Sequence, residues 1–393
     1  MRALHLVAGV LLAKSVEATI RFGCSQLVTE RFDPLVTPGE VSPHVHQIIG
    51  GNAFNLTMDP DLDLASIATC TTCRFKENKS NYWTAVLYFH HPNGSFIRVP
   101  QMPNHLVGNH NGGMTVYYLP GAPPFDKKIT AFPKGFRMIT GNPMKRTGKP
   151  SSLDDVESYS LSFRCWEDQE WLGQSNQHAP GVGAWDTVHL PKKPCLGGIR
   201  SNTFFPSCWD GVNTDSRDHK SHMAFPLGRV DERLGIIWHE GECPETHPVK
   251  TPTILFEISW DTRPFNHMWP EDGSQPFVLS QGDPTGYGHH GDYLFGWEGD
   301  SLQRAMDNCF DYFGWPEACE VLTLQTDEEM DQCVKQTSIN EVTEGEWLPE
   351  LPGCNPIQHG PEPATMVRDC KAISTTGIPA ATRPPVAGVT PAP

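Results

Sequence analysis

Twelve cysteines, an even number and every one beyond residue 18, constrain this chain more than any other feature. Thiols at that density fit an oxidising compartment, and up to six bridges would tie distant stretches of backbone together in a pairing that spacing does not fix. The fold must tolerate many cross-links between loops. The pattern Cys70-Thr71-Thr72-Cys73 also suits a redox dithiol or two zinc ligands. Among so many other cysteines in a secreted chain, structural bridging is expected instead.

The first eighteen residues point to the same compartment. Arg2 supplies a positive start, Ala3 to Ala13 an apolar stretch, and Val16-Glu17-Ala18 a small-residue cleavage site, so residues 1–18 read as a secretory signal. The mature chain is expected to begin near Thr19, outside the cell or in its wall. The apolar run is far shorter than the roughly 20 residues that cross a bilayer, so no membrane span is expected. Sequons at Asn55, Asn78 and Asn93 would place those three segments on the surface of a glycoprotein. A formal net charge of −16 and a pI near 5.5 argue against nucleic acid as a partner, because phosphate binding rests on clustered Lys and Arg.

With 393 residues and 38% apolar content the chain can bury one large core or two modest ones. Period-two alternation dominates. Tyr159, Leu161, Phe163 and Cys165 alternate with serines and Arg164, and Ile254, Phe256, Ile258 and Trp260 alternate with Glu257 and Ser259. Further short apolar runs, "YWTAVLYF", "MTVYYL", "RMIT", "LGIIWHE" and "FVLSQ", are punctuated by Gly, Pro and Asn. The expected fold is mainly β, a sandwich or jelly-roll-like core with long loops over residues 19–299.

Helical spacing appears late. Leu302, Ala305, Met306, Cys309, Phe310 and Phe313 form one stripe ended by Pro316, and a capping box opens a second helix at Thr326 to Glu329. Residues 300–371 are therefore expected to form a small Cys-rich helical extension packed on the β domain. From 372 to 393 the chain is rich in Pro, Thr and Ala, a composition that leaves a tail disordered.

Three polar, glycine-containing segments stand out. The first is "RFDPLVTPGEVSPHVHQIIGG", where His44 and His46 lie one residue apart and emerge on one face of an extended chain. The second, residues 208–226, holds Trp209, Asp210, Asp215, Asp218, His219 and His222. The third, residues 279–297, holds Asp283, Tyr287, His289, His290, Asp292 and Trp297. Loops at the ends of a rigid sheet are where sites accumulate, and the three segments are expected to meet around one cleft.

These segments resemble the signatures of the fungal secreted family DUF1996. The resemblance rests on Asp33-Pro34 with Ser42 to His46, on Cys208 to Gly211 with Asp218 to His222, and on Gly282 to Gly288 with His290 to Trp297. It covers roughly residues 22–300. It implies a secreted protein of a kind often joined elsewhere to glucan-binding modules, which points towards fungal or plant cell-wall polysaccharide. It implies no particular activity.

The residues themselves support three chemistries. Glycosidic cleavage uses two carboxyl groups, with Asp218, Asp283 and Asp292 as candidates and His219 and His290 as proton relays. On a uronic-acid polymer, Tyr287 and His290 would instead pair as acid and base of an elimination, with His46 near the carboxylate. His44, His46 and His222 are expected to position substrate, and Trp209 and Trp297 to stack on sugar rings. No cofactor is required for this chemistry. The second chemistry is a divalent metal held by His44 and His46 plus one of His219, His222 or His290 with an Asp. An oxidative copper brace needs a histidine at the mature N-terminus, where Thr19 stands, and no HExxH occurs. The third is binding to polysaccharide without catalysis. Dinucleotide, Walker and serine-elbow motifs have no support.

Overall fold

The computed structural model describes residues 20–104, 111–119, 128–148, 156–169, 185–228, 241–311, 313–367 and 370. The signal at 1–18, the tail at 372–393 and the apolar run at 234–240 lie outside them. Strands are numbered along the chain. One sheet has six, in the order β1 (Ile20–Cys24), β7 (Met114–Leu119), β15 (Thr253–Trp260), β11 (Ile199–Phe204), β9 (Leu161–Cys165) and β10 (Asp186–Thr187). A second has five, in the order β2 (Val28–Glu30), β3 (His46–Gly50), β4 (Asn81–Ala85), β17 (His290–Leu294) and β8 (Arg137–Gly141). Two small sheets, β16 (Phe277–Leu279) with β5 (Leu87–His90) and β6 (Phe96–Arg98), and β13 (Met223–Ala224) with β12 (Cys208–Trp209) and β14 (Val249–Lys250), complete the β structure. The architecture is a mainly β sandwich with long loops.

The alternation read from the sequence decides which side chains enter the core. Ile254, Phe256, Ile258 and Trp260 of β15 share one buried cluster with Phe22, Val116 and Tyr118 of the same sheet and with Ile49, Tyr82, Met138 and Tyr293 of the other. Each such side chain contributes about 1.5–3 kcal/mol on burial. The two sheets approach tightly at Gly291, where a Cβ would meet Thr203 Cγ2 at 2.8 Å and Phe256 at 3.1 Å. A larger residue there would push the layers apart. Three tyrosine hydroxyls buried at this interface bond to one another, Tyr82 to Tyr118 at 2.8 Å and Tyr118 to Tyr293 at 3.1 Å.

"YWTAVLYF" is two strands, because the chain leaves the five-stranded sheet after Ala85 and joins a small one from Leu87. The short helices are α1 (Leu64–Ile67), α2 (Val156–Tyr159), α3 (Ser301–Asn308) and α4 (Asp327–Gln332). Helix α3 stops earlier than its apolar stripe, since Cys309 is extended and its bridge to Cys319 turns the chain back. Helix α4 opens on the capping box of Thr326 and Glu329.

All twelve cysteines pair, as Cys24–Cys73, Cys70–Cys333, Cys165–Cys195, Cys208–Cys243, Cys309–Cys319 and Cys354–Cys370. Cys70 and Cys73 thus go to different partners. Among the described residues no helix is long and apolar enough to cross a membrane. The sequon at Asn78 is a correction to the sequence reading: this residue is fully buried, and its side chain donates to Tyr82 Oη at 2.9 Å and accepts from it at 3.1 Å.

Candidate metal centre

The two faces of the five-stranded sheet do different work. Residues 46, 48 and 50 of β3 alternate against 47 and 49, so Ile49 enters the sandwich core while His46 and Ile48 point to the other face. The same alternation separates the adjacent histidines of "GHHGD". His289 turns inward, with Nε2 2.8 Å from Thr203 Oγ1, whereas His290 and Asp292 share the outer side. That outer face is apolar at one end, where Ile48, Trp83 and Leu294 cluster, and polar at the other.

Strands β3 and β17 are separated by β4, which puts their backbones about 9.6 Å apart. His46 lies opposite Ala85 of β4. His290 Nε2 lies 3.4 Å from His46 Nε2 and 3.1 Å from His44 Nε2. The ligand atoms of His44, His46 and His290 all fall within 4.8 Å of one another, and all three residues are buried.

Backbone carbonyls set the tautomers. His46 Nδ1 lies 2.8 Å from Phe32 O, and His290 Nδ1 lies 2.9 Å from Gly288 O. A carbonyl only accepts, so each Nδ1 carries the hydrogen and each Nε2 presents a lone pair to the centre. Burial keeps the rings neutral: it lowers His46 to about 3 and, together with the nearby His46 ring, His290 to about 4. His44 is pushed well down by burial and by its two histidine neighbours.

Carboxyl groups behave in the opposite sense. Asp292 is buried, its Oδ2 has no hydrogen-bond partner, and burial followed by the charge of Asp33 raises its pKa well above the usual range. Asp33 is raised by burial despite accepting from the Leu35 and Val36 amides at 3.2 and 3.1 Å, and its charge reaches both His290 and Asp292. Neither Asp33 nor Lys220, whose ammonium donates to Gly141 O, stands among the sequence-derived candidates. The Asp-Pro step marks Asp33, but nothing local to it signals burial beside a histidine 257 positions later.

The remaining candidates hold the loops that frame the centre. Asp283 Oδ2 accepts from Gly288 N at 2.6 Å and Oδ1 from Thr285 N at 2.8 Å, while the fully buried Arg146 stands 3.6 Å away. This carboxylate therefore fixes the turn that delivers His290. Tyr287 is half-buried, with its ring against Gly148. Asp218 is exposed and accepts from Ser216 Oγ, Lys220 N, Ser221 N and Ser221 Oγ, which hold its pKa well below the usual carboxylate range.

His219 Nδ1 lies 2.7 Å from Asp215, and its Nε2 lies 3.1 Å from Leu35 O, so the second segment abuts the loop carrying Asp33. His222 bridges Ser216 Oγ and Arg137 O at 2.8 and 2.9 Å. Trp209 is half-buried and donates to Asn213 O at 2.6 Å, whereas Trp297 is buried in the main core and donates to Tyr118 Oη at 3.0 Å. The first and third segments thus meet through three imidazoles, and the second touches the first through the His219 ring at Leu35 O.

A disulfide-stapled β sandwich with three histidines gathered on the outer face of one sheet is the class these features define. The chain belongs to the family described as Domain of unknown function (DUF1996), whose model matches residues 33–297. No curated protein and no solved structure matches it.

Proposed function

We propose that this chain is a secreted metalloprotein acting on extracellular polysaccharide, with His44, His46 and His290 holding a divalent transition metal. The observation that carries this is the convergence of three Nε2 atoms at spacings of 3.1 and 3.4 Å. Four nitrogens arranged tetrahedrally about 2.05 Å from a metal are about 3.3 Å apart, so the rings stand where ligands would. His46 and His290 turn bare lone pairs towards each other, and burial opposes a proton between them. A divalent cation offsets that repulsion, and the Phe32 and Gly288 carbonyls supply the outer hydrogen bonds that ligating histidines use. Imidazole sets of this kind suit zinc or copper.

A metal at this position supplies Lewis acidity towards an oxygen-bearing substrate. Asp292, two residues along β17 from His290 and on the same face of the sheet, is assigned as a proton-holding group, since its carboxyl is buried and its Oδ2 unpartnered. Six disulfides are compatible with an extracellular compartment, and the polysaccharide class rests only on the resemblance to secreted domains often joined to glucan-binding modules.

Elemental analysis of tag-free protein, alongside a His44→Ala/His46→Ala variant, tests the metal. One equivalent per chain in the parent and less than a tenth of that in the variant is expected. Parent protein without metal, even after incubation with zinc and copper salts, would falsify the assignment.

A further inference from the structure

A cleft of about 320 Å³ opens at the Gly141 end of β8, within the size range of small-ligand sites. Its wall includes Gly141, the residue paired with His290 across β8 and β17, so cleft and centre share a strand pair. A Cβ at Gly141 would come within 2.8 Å of His290 Cα. Polar and aromatic groups dominate the lining, with Asn142, Lys145, Glu157, Lys220 and Tyr287 around Leu161.

The charge of this lining runs against that of the molecule. The chain carries 46 acidic and 30 basic side chains, yet among the described residues the cleft lining includes two lysines and one glutamate. The Lys220 ammonium donates to Gly141 O and stands 3.7 Å from Glu157, so it is held at the boundary between cleft and histidines. An amine in that position recognises an anion on the ligand, and the ring of Tyr287 offers a face for a sugar.

We propose that the cleft binds an acidic saccharide, a uronate-bearing chain segment whose carboxylate meets Lys220 and whose next unit lies towards Lys145. This rests on the three-histidine centre as the place where such a ligand is acted upon. The carboxylate would lie on the Gly141 side, towards His290, with the ring carrying it against Tyr287.

Calorimetric titration of the full chain with hexamers of galacturonic and glucuronic acid, against cellohexaose and laminarihexaose, tests it. At least one acidic hexamer should bind at least about tenfold more tightly than either neutral one, with affinity falling as salt is raised. Lys220→Met should weaken acidic binding about tenfold and leave neutral binding unchanged. Lys145→Met gives the same reading with a smaller loss, so the outcome does not hang on one variant. Equal binding of acidic and neutral hexamers, no binding of either acid, or unchanged acidic binding in both variants overturns the proposal. The His44→Ala/His46→Ala protein separates the two ideas. If it binds acid normally while the parent lacks metal, the cleft stands and the metal centre falls; metal in the parent with no acid binding gives the reverse.

Discussion

At the scale of single residues, two of the buried histidines are each held by a defined partner. His46 and His290 lose their charge, but a carbonyl fixes each ring and directs its free nitrogen to a common point. Asn78 obeys the same rule for a different purpose. Its amide is consumed by the Tyr82 hydroxyl, so a glycan on Nδ2 would have to displace a bond inside the tyrosine cluster. Asn55 and Asn93 are exposed, the second at a turn where its Oδ1 accepts from Ser95 N at 2.9 Å. Protein secreted from a glycosylating host should therefore carry N-glycans at Asn55 and Asn93 and none at Asn78. Peptide mapping after enzymatic deglycosylation reads this directly, and an occupied Asn78 in folded protein would contradict the placement.

At the scale of elements, legibility followed how local the signal is. The strand β15 was readable because Ile254, Phe256, Ile258 and Trp260 fall at every second position, with Leu255 the one apolar residue between them, and α4 because Thr326 and Glu329 cap it within one turn. The break between β4 and β5 was not, since Val86 continues the apolar run and only pairing in two different sheets separates them. The pairing of His44 and His46 was visible as an i, i+2 repeat. Their union with His290 depends on the strand order β3-β4-β17, a tertiary fact that no window of sequence contains. Asp33, although part of the Asp33-Pro34 motif, and Lys220 were not legible as neighbours of the centre for the same reason, each being ordinary in its own turn. Of the two histidines at 289 and 290, only the sheet decides which faces the core and which the centre.

At the scale of the whole molecule, the buried imidazoles tie stability to pH. Folding holds His46 near 3 against an ordinary 6.5, so in metal-free protein the unfolded chain takes up a proton between about 6.5 and 3 that the folded chain refuses. The stability due to that group is present above 6.5 and is lost as pH falls towards 3. Asp33 and Asp292, raised by burial, act with the opposite sign and lose their contribution as pH rises. Comparing chelator-treated parent with His46→Gln cancels those carboxyls. Urea midpoints should fall more steeply from pH 6.5 to 4 in the parent than in the variant, and equal slopes would contradict burial of a neutral His46. The central claim is that three imidazoles from two distant segments hold one metal. X-ray absorption at the metal edge of protein loaded with one equivalent of zinc tests it most directly. The account predicts a first shell at about 2.0 Å with the outer-shell pattern of three imidazoles, which falls to fewer in His290→Ala. A shell of oxygens alone, or a spectrum unchanged by that substitution, would contradict it.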